Sequence, residues 1–307
     1  MKTINIKRYI LPVAMVCLCA CGGEKGDETV IRVAVLRGPT AIAFAGWLEE
    51  PPMIDGKTVV VEITDSPEQM QAILIKGDAD IAALPMINAA NLYNKGVRYT
   101  LAGCPVWGNL YLIGKRDAKQ LHVFGSGTTP DILTRYHINK HNLSYPLNYT
   151  LQTASEITQG LLAGKVEAAV LGEPFASLVL RRDTAFHILA DLNNPDGTSP
   201  GFAEAAIVLK PEQESNRHTL DSLLQITCRL PGENPAKVIR ILEERKIFPP
   251  GTITSQSIER CKIHYLPAKE AEQDILTFLQ IIFSYEPKAI GGKLPDKGFI
   301  SPLLRPF

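Results

Sequence analysis

The chain has 307 residues, and its 32 basic and 32 acidic side chains give a formal net charge of zero at pH 7. It contains no basic block and no interleaving of basic with aromatic residues, which excludes a strongly cationic nucleic-acid-binding protein. The length suffices for a substantial core and for two domains.

The N-terminus has the order of a secretory signal. A short basic segment is followed by an apolar run over residues 9–16 and by a Leu-Cys-Ala-Cys sequence that ends at Cys21. The apolar run is shorter than the ~20 residues that a membrane-spanning helix needs. We therefore expect residues 1–20 to be a cleaved signal peptide and residues 21–29 to be a polar tether. Cleavage takes three of the 32 basic side chains, so the mature net charge is near −3.

The sequence Leu18-Cys19-Ala20-Cys21 also resembles a bacterial lipobox. In that interpretation Cys21 receives the lipid and becomes the first mature residue. Several acyl chains would then hold the protein on a membrane, facing the periplasm or the exterior. An ordinary cleaved signal with an incidental cysteine is the alternative.

Three more cysteines follow in the predicted mature chain, at Cys104, Cys228 and Cys261. They are odd in number and have no CxxC spacing. One disulfide could form in an oxidising envelope, but we favour buried free thiols.

Short β-rich runs alternate with helical stretches from residue 31 to about 192, the pattern of a parallel sheet flanked by helices. The helix over 67–76 has the clearest local signals, because Ser66 can cap it, Pro67 suits its first turn and Gly77 ends it. The first part of the chain is predicted to contain strands at 31–36, 58–63 and 80–84, and helices at 38–50, 67–76 and 85–96.

One unit of this pattern occurs twice. Residues 70–84 align with residues 157–171 at a constant offset, with Gly77 matching Gly164 and Asp80 matching Glu167. Each copy predicts a helix, a glycine stop and a strand that leads into a loop with a proline. Related halves of a two-lobed protein explain this repeat better than a solenoid, which needs three or more units. The alternative is that the order helix, glycine, strand is common in α/β proteins and does not indicate a repeat.

The remaining elements suggest a return of the chain to its first lobe. Strands are predicted at 121–124, 147–151, 186–190 and 205–209, a helix is predicted from 131, and amphipathic helices are predicted at 218–229, 235–244 and 268–285. We expect lobe 1 to begin with residues 30–115, lobe 2 to comprise 116–200, and residues 201–307 to complete lobe 1. Two such crossovers would form a hinge.

Five segments carry a resemblance to a known family: residues 32–45, 77–85, 88–96, 125–131 and 173–175. Together they resemble type II periplasmic binding proteins, and most closely the branch related to nitrate, sulfonate and thiamine-precursor binders. This resemblance implies a two-lobed α/β fold with a mainly parallel sheet flanked by helices in each lobe. It also implies a small-molecule ligand in the interlobe cleft, an ABC permease and its ATPase as partners, and no cofactor. We expect a monomer that is not an enzyme.

The candidate site follows from the fold. Ligands of open α/β sheets gather beyond the carboxyl ends of the strands, where loops and helix N-termini converge. The candidate ligand-binding residues are Arg37, Gly38, Pro39, Thr40, Pro85, Met86, Asn88, Trp107, Asn109, Ser126, Gly127, Thr128, Thr129 and Glu173. The loop Gly125–Thr129 and Arg37 favour an anionic ligand, while Phe44, Trp107 and Phe175 would suit a heterocycle.

Each candidate has a structural alternative. The glycine loop could be a helix cap without a ligand, Arg37 and Asn88 could face water, Trp107 could pack in the core, and Glu173 could only order its turn. His137 and His141 have helical spacing that could hold zinc, but no third ligand is evident. An enzyme of the same fold and a ligand-sensing subunit are the functional alternatives.

Overall fold

The structure is a computed structural model, and it describes residues 30–194 and 201–300. The predicted signal peptide, the tether and the predicted lipidation site Cys21 lie outside the described residues. Within the described ranges, no helix is long and apolar enough to cross a membrane.

The described chain forms two β-sheets. Its strands are β1 (Val30–Leu36), β2 (Met53–Ile54), β3 (Lys57–Thr64), β4 (Ile81–Pro85), β5 (Thr100–Val106), β6 (Leu110–Gly114), β7 (Leu121–His122), β8 (Leu147–Asn148), β9 (Ala168–Gly172), β10 (His187–Asp191), β11 (Ala205–Leu209) and β12 (Ile263–Pro267). The first sheet has the order β12-β5-β11-β4-β1-β3-β2, and the second has the order β10-β6-β9-β7-β8. We call the first sheet with its helices lobe 1, and the second sheet with its helices lobe 2.

Helices cover these sheets. They are α1 (Pro39–Ala43), α2 (Ala45–Glu49), α3 (Pro67–Lys76), α4 (Met86–Asn94), α5 (Thr129–Lys140), α6 (Ala154–Leu162), α7 (Phe175–Arg182), α8 (Arg217–Glu233), α9 (Pro235–Glu244), α10 (Ser255–Arg260) and α11 (Glu272–Tyr285). Two 3₁₀ helices, Pro211–Asn216 and Pro287–Ile290, precede α8 and follow α11. The two-sheet α/β fold class is therefore confirmed.

Both sheets are mixed rather than mainly parallel. Parallel pairing joins β1 to β3 and β4, and β7 to β8 and β9. Strand β11 instead lies between β4 and β5 and is antiparallel to both. The reason is topological: β11 arrives from lobe 2, and not through a helix laid on the sheet, so the handed β-α-β connection that enforces parallel pairing does not apply.

The first crossover between the sheets comes earlier than the sequence suggested. Strand β6 belongs to the second sheet, so the chain changes lobes at residues 107–109 and not at 115. The apolar run from Thr100 to Gly114 has no polar loop to mark this change. Gly108 provides the break, because its φ of 155° is accessible mainly to glycine.

The helix whose start and end were both marked by local sequence signals, α3, has the predicted bounds. Ser66 caps α3 by accepting a hydrogen bond from the Gln69 N–H, and Gly77 ends the helix in the left-handed conformation at φ 75°. The predicted helix 38–50 is two short helices, because the backbone leaves the helical region at Phe44. The repeated unit is present in both lobes: α3, Gly77 and β4 correspond to α6, Gly164 and β9.

Helix α11 contacts both lobes. Its buried face, which includes Phe278 and Ile282, belongs to a hydrophobic cluster that also contains Leu101 of β5 and Ile132 of α5. At its C-terminal end, the Tyr285 carbonyl accepts a hydrogen bond from Arg135 of α5 at 3.4 Å. The opposite face of the first sheet is covered by α1 and α8, and α9 packs on α2 and α8. The lobes are thus joined by a packed helix as well as by the two chain crossovers.

The three described cysteines, Cys104, Cys228 and Cys261, are free and buried, which confirms the prediction of buried thiols.

Candidate functional site

The two chain crossovers meet where the carboxyl ends of the strands face each other. The Asn109 carbonyl accepts a hydrogen bond from the Glu173 N–H, just beyond β9, at 3.1 Å. Its side-chain amide donates to Glu204 Oε2, just before β11, at 3.0 Å. Asn109 therefore links the carboxyl edge of the second sheet to that of the first, which is where a ligand of an α/β fold is expected.

Asn193 joins the two crossovers to each other. Its side-chain oxygen accepts hydrogen bonds from the backbone N–H groups of Asn109 and Leu110, both at 2.7 Å. Its side-chain amide donates to the Leu110 carbonyl at 2.9 Å and to Asp191 Oδ1 at 2.5 Å. Because Asn193 is fully buried and every polar atom of its side chain is paired, it ties the end of β10 firmly to the first crossover.

Glu204 lies at the first-sheet edge between two strand ends. Its backbone N–H donates to the Val106 carbonyl at the end of β5, and its carbonyl accepts from the Met86 N–H after β4. The side chain is buried, and Oε1 has no hydrogen-bond partner. Burial, and then the nearby Asp191, raise the pKa of the Glu204 carboxyl to about 8, while Lys262 opposes the shift.

Glu173 occupies the matching edge of the second sheet. Its carboxylate accepts hydrogen bonds from the Ser177 hydroxyl at 3.0 Å and from the Ser177 N–H at 3.2 Å, in the first turn of α7. The Nη1 atom of Arg260 lies 3.7 Å from Glu173 Oε1 and donates a hydrogen bond to the Ser177 hydroxyl. Burial nevertheless raises the pKa of Glu173 to about 7, against the lowering effect of these partners. The structure thus places Glu173 in the turn-ordering role.

Two basic residues complete this region from the C-terminal part of lobe 1. Lys262 forms an ion pair with Asp191 at 2.8 Å, and the Arg260 carbonyl accepts a hydrogen bond from the Tyr111 hydroxyl at 2.7 Å. A hollow of about 390 Å³ lies beside them, lined by Tyr111, Gln256, Glu259, Arg260 and Lys262. We call the polar side chains that meet here the crossover cluster: Asn109, Glu173, Asp191, Asn193, Glu204, Arg260 and Lys262.

The loop after β1 satisfies its own charge. Arg37 pairs with Asp65 at 2.5 Å and donates to the Ile247 carbonyl, both within lobe 1. The Thr40 hydroxyl donates to the Leu36 carbonyl and the residue is buried. Gly38 and Pro39 are partly exposed, so this loop presents backbone rather than a free cation to the cleft.

The predicted residues near β4 and the first crossover divide into two groups. The first group is partly exposed to solvent and comprises Pro85, Asn88 and Asn109. Met86 and Trp107 are fully buried in the core. The Trp107 indole N–H donates to the His264 carbonyl at 3.0 Å, and its ring stacks on that of His264, so Trp107 has the packing role.

The glycine loop before α5 already holds an anion that belongs to the chain. The Gly127 N–H donates to Asp131 Oδ2 at 2.8 Å, and the Asp131 carboxylate also accepts from Arg135 and from the Tyr149 hydroxyl. Asp131 is only 2% exposed. Because this carboxylate interacts favourably with the positive helix N-terminus, the loop offers less to an external anion than its sequence suggested.

The side chains of that loop differ in accessibility. Ser126 and Thr128 are exposed, Gly127 is partly exposed, and Thr129 is buried. The Thr128 hydroxyl donates to the Gly125 carbonyl at 2.5 Å, closing the loop on itself. Ser126 and Thr128 are therefore the members of this loop that a ligand can reach.

Sequence reasoning missed Asp131, Asp191, Asn193, Glu204, Arg260 and Lys262. One signal was available for Glu204: it is an acidic residue directly before the apolar run Ala205–Leu209, which forms a buried strand. Asp131 acts locally, on Gly127 and Arg135 four residues away on either side, whereas the other four are recruited by contacts between segments far apart in the chain. His137 and His141 have ring centroids 4.5 Å apart, but residues 30–194 and 201–300 contain no group of three or more side chains able to hold a metal ion.

No protein-family model and no curated protein matches the chain. Among solved structures, an ABC transporter from Parabacteroides distasonis shares 55% identity with it, with a TM-score of 0.87, over 90% of this chain and 99% of that one. The aliphatic sulphonate binding protein SsuA from Escherichia coli has a TM-score of 0.66 at 13% identity, over 88% of this chain and 93% of that one. The alkanesulfonate-binding SsuA from Xanthomonas axonopodis pv. citri, bound to MOPS, has a TM-score of 0.60 at 14% identity, over 90% and 98%.

The two SsuA proteins establish a likeness of fold alone, because their identity to this chain is low. The Parabacteroides protein establishes kinship, because more than half of the aligned residues are identical over nearly the full length of both chains. The chain therefore belongs to the ABC-transporter proteins that have the two-lobed periplasmic binding fold, the family indicated by its sequence motifs.

Proposed function

We propose that this protein captures a small molecule in the interlobe cleft and delivers it to an ABC permease with its ATPase. The observation that carries the proposal is the 55% identity to an ABC transporter over 90% of the chain. The position of the crossover cluster supports it, since polar side chains of both lobes meet there at the carboxyl ends of the strands. Opening and closing about the two crossovers would admit and enclose the ligand.

The ligand is proposed to be small and either anionic or heterocyclic, and the heterocyclic class has the better support. The two features that favoured an anion are internally satisfied, because Arg37 pairs with Asp65 and the glycine loop binds Asp131. Aromatic side chains remain available near the second crossover: Phe202 is partly exposed and lies 6.0 Å from the Tyr136 ring. A flat ring can stack on such side chains.

The location is proposed to be extracytoplasmic, with a monomeric body anchored through lipid on Cys21. The support is the Leu-Cys-Ala-Cys sequence after a short apolar run. Replacement of Cys21 by alanine should move the protein from the membrane fraction to the soluble fraction of the envelope. Continued anchoring of that variant in the membrane would reject the lipid attachment.

Ligand capture is tested by thermal unfolding with a panel of nutrients and vitamin precursors. A ligand that binds only the folded state raises stability by about 2.7 kcal/mol at a concentration of 100 Kd. The crossover provides a steric variant, because a Cβ added at Gly172 would lie 2.6 Å from Asn109 Oδ1. We expect Gly172→Ala to reduce the rise in Tm that a stabilising compound of the panel (the hit) produces in the wild type.

The matched control is Gly232→Ala, at an exposed position in α8 where an added Cβ meets no atom within 4 Å. It should leave the response unchanged. A panel without any stabilising compound, or a hit that ignores Gly172→Ala, would contradict capture at the crossovers.

A further inference from the structure

We infer that Glu204 is a ligand-binding residue whose carboxyl accepts hydrogen bonds from a nitrogen group of the ligand, an amidine, amine or protonated ring nitrogen. This inference rests on the proposed function and specifies the ligand chemistry of the same cleft.

The position of Glu204 is the first argument. Its backbone is held between the ends of β4 and β5 by hydrogen bonds to Met86 and Val106, at 2.9 Å and 3.2 Å. Its side chain points to Asn109, which a Cβ on Gly172 of the other lobe would also touch. Opening of the two lobes about the crossovers, as proposed above, would expose this carboxyl to the cleft.

One oxygen of the Glu204 carboxyl has no hydrogen-bond partner. Asn109 satisfies Oε2, but Oε1 is buried without a hydrogen-bond partner. Buried polar atoms are nearly always paired, because an unpaired one loses its hydration without compensation. An N–H group of a ligand is the partner that this acceptor lacks.

The crossover cluster has more carboxyl groups than cations. It contains three carboxyl groups, Glu173, Asp191 and Glu204, and two cations. Arg260 is engaged by Ser177 and Glu173, and Lys262 is engaged by Asp191. Among the described residues no ion pair engages Glu204, so a ligand cation would supply the partner that its ionised form lacks.

Binding of a cation has a consequence for protons. Burial and Asp191 raise the pKa of Glu204 to about 8, so the carboxyl is mostly protonated at pH 7. When an amidinium binds, the carboxyl O–H bond breaks, its proton goes to the solvent, and the resulting carboxylate pairs with the ligand. Affinity for a cation should therefore increase as the pH rises from 6 to 8. Tyr111 and Cys261 also lie near Glu204, and each of them senses the charge of Glu173 as well.

The test uses benzamidine and benzoate, which share a ring and carry opposite charges. Calorimetric titrations of the wild-type protein in buffers of different ionisation enthalpy measure affinity and proton exchange together. We expect benzamidine to bind with release of close to one proton at pH 7, and benzoate to bind more weakly. We expect Glu204→Gln to weaken benzamidine at least about tenfold and to abolish the proton release. Glu233→Gln, an exposed residue at the end of α8, is the matched control and should change neither.

Three outcomes would overturn the inference: tighter binding of benzoate, benzamidine binding that is unchanged in Glu204→Gln, or no binding of benzamidine to the wild type. The proton release is measured on the wild type, so the test survives if Glu204→Gln folds poorly. A nutrient hit in the thermal panel together with one of these outcomes would reject the role of Glu204 while leaving ligand capture intact.

Discussion

The buried carboxyl of Glu204 makes the stability of this protein depend on pH in a way that one substitution should remove. The ordinary pKa of a glutamate is 4.5, and burial raises the pKa of Glu204 in the folded protein to about 8. Below pH 4.5 the carboxyl is protonated in both states and has no effect on folding. As the pH rises towards 8, the unfolded state ionises freely while the folded state resists, so the wild type loses stability.

The size of the effect follows from the difference between the two pKa values. Each unit corresponds to about 1.4 kcal/mol, so the wild type should lose on the order of 3 kcal/mol between pH 5 and pH 8 through this residue. Glu204→Gln keeps the shape of the neutral carboxyl and cannot ionise. Relative to the wild type, it should therefore gain on the order of 3 kcal/mol over this pH interval, or about 6 °C in Tm for a chain of this size.

The assay is urea denaturation at half-unit steps of pH for the wild type, for Glu204→Gln and for the exposed control Glu233→Gln. At each pH the free energy of unfolding of the wild type is subtracted from that of Glu204→Gln. The change of this difference with pH is the result that matters, because any destabilisation by the amide that does not depend on pH cancels. Parallel curves for the wild type and Glu204→Gln would show that the carboxyl is hydrated or ionised in the folded protein, and would refute its burial.

The remaining predictions concern the core and the glycine loop. Asp131→Asn should cost about 1.5–3 kcal/mol in denaturant unfolding, because Arg135, whose side chain is 30% exposed, loses the buried carboxylate that pairs with it. A loss below about 1 kcal/mol would mean that this ion pair is solvated. Trp107→Ala should cost about 3–5 kcal/mol, since the fully buried indole is replaced by a cavity; near-wild-type stability with lost ligand binding would instead place the ring in the cleft. The thiols of Cys104, Cys228 and Cys261 should react with a disulfide reagent only after the protein unfolds, because they are buried and burial raises the pKa of each. Rapid labelling of the native protein would contradict the packing around them.

The elements that could be predicted from the sequence are those with signals inside a short window. Helix α3 is one, because Ser66, Pro67 and Gly77 each act on backbone groups a few residues away. Strand β11 is another, since Ala205–Leu209 is a short apolar run bounded by charged residues. Strand β6 was not predicted, and the first crossover was placed too late. The reason is that Thr100–Gly114 stays largely apolar across the change of lobe, and no local residue encodes which sheet a buried strand joins.

The candidate site was only partly predictable for the same reason. Asn109 was identified from its position after a strand, and it does lie where the two sheets meet. Its hydrogen-bond partners Asn193 and Glu204, however, are 84 and 95 residues away in the chain. Arg37 and the glycine loop were expected to serve a ligand because their types and spacing suit an anion. Their actual partners, Asp65 and Asp131, depend on side-chain directions that a sequence pattern does not contain.

The place of β11 constrains the order in which the protein can mature. This strand lies in the interior of the first sheet, between β4 and β5, although both neighbours precede it by about a hundred residues of chain. In a growing or translocating polypeptide, β5 therefore has no strand to join it to β4 until residue 209 has emerged, and the sheet is complete only when β12 follows. The strands of the second sheet, by contrast, run without interruption from Leu110 to Asp191. Lobe 2 can therefore fold before the first sheet is complete.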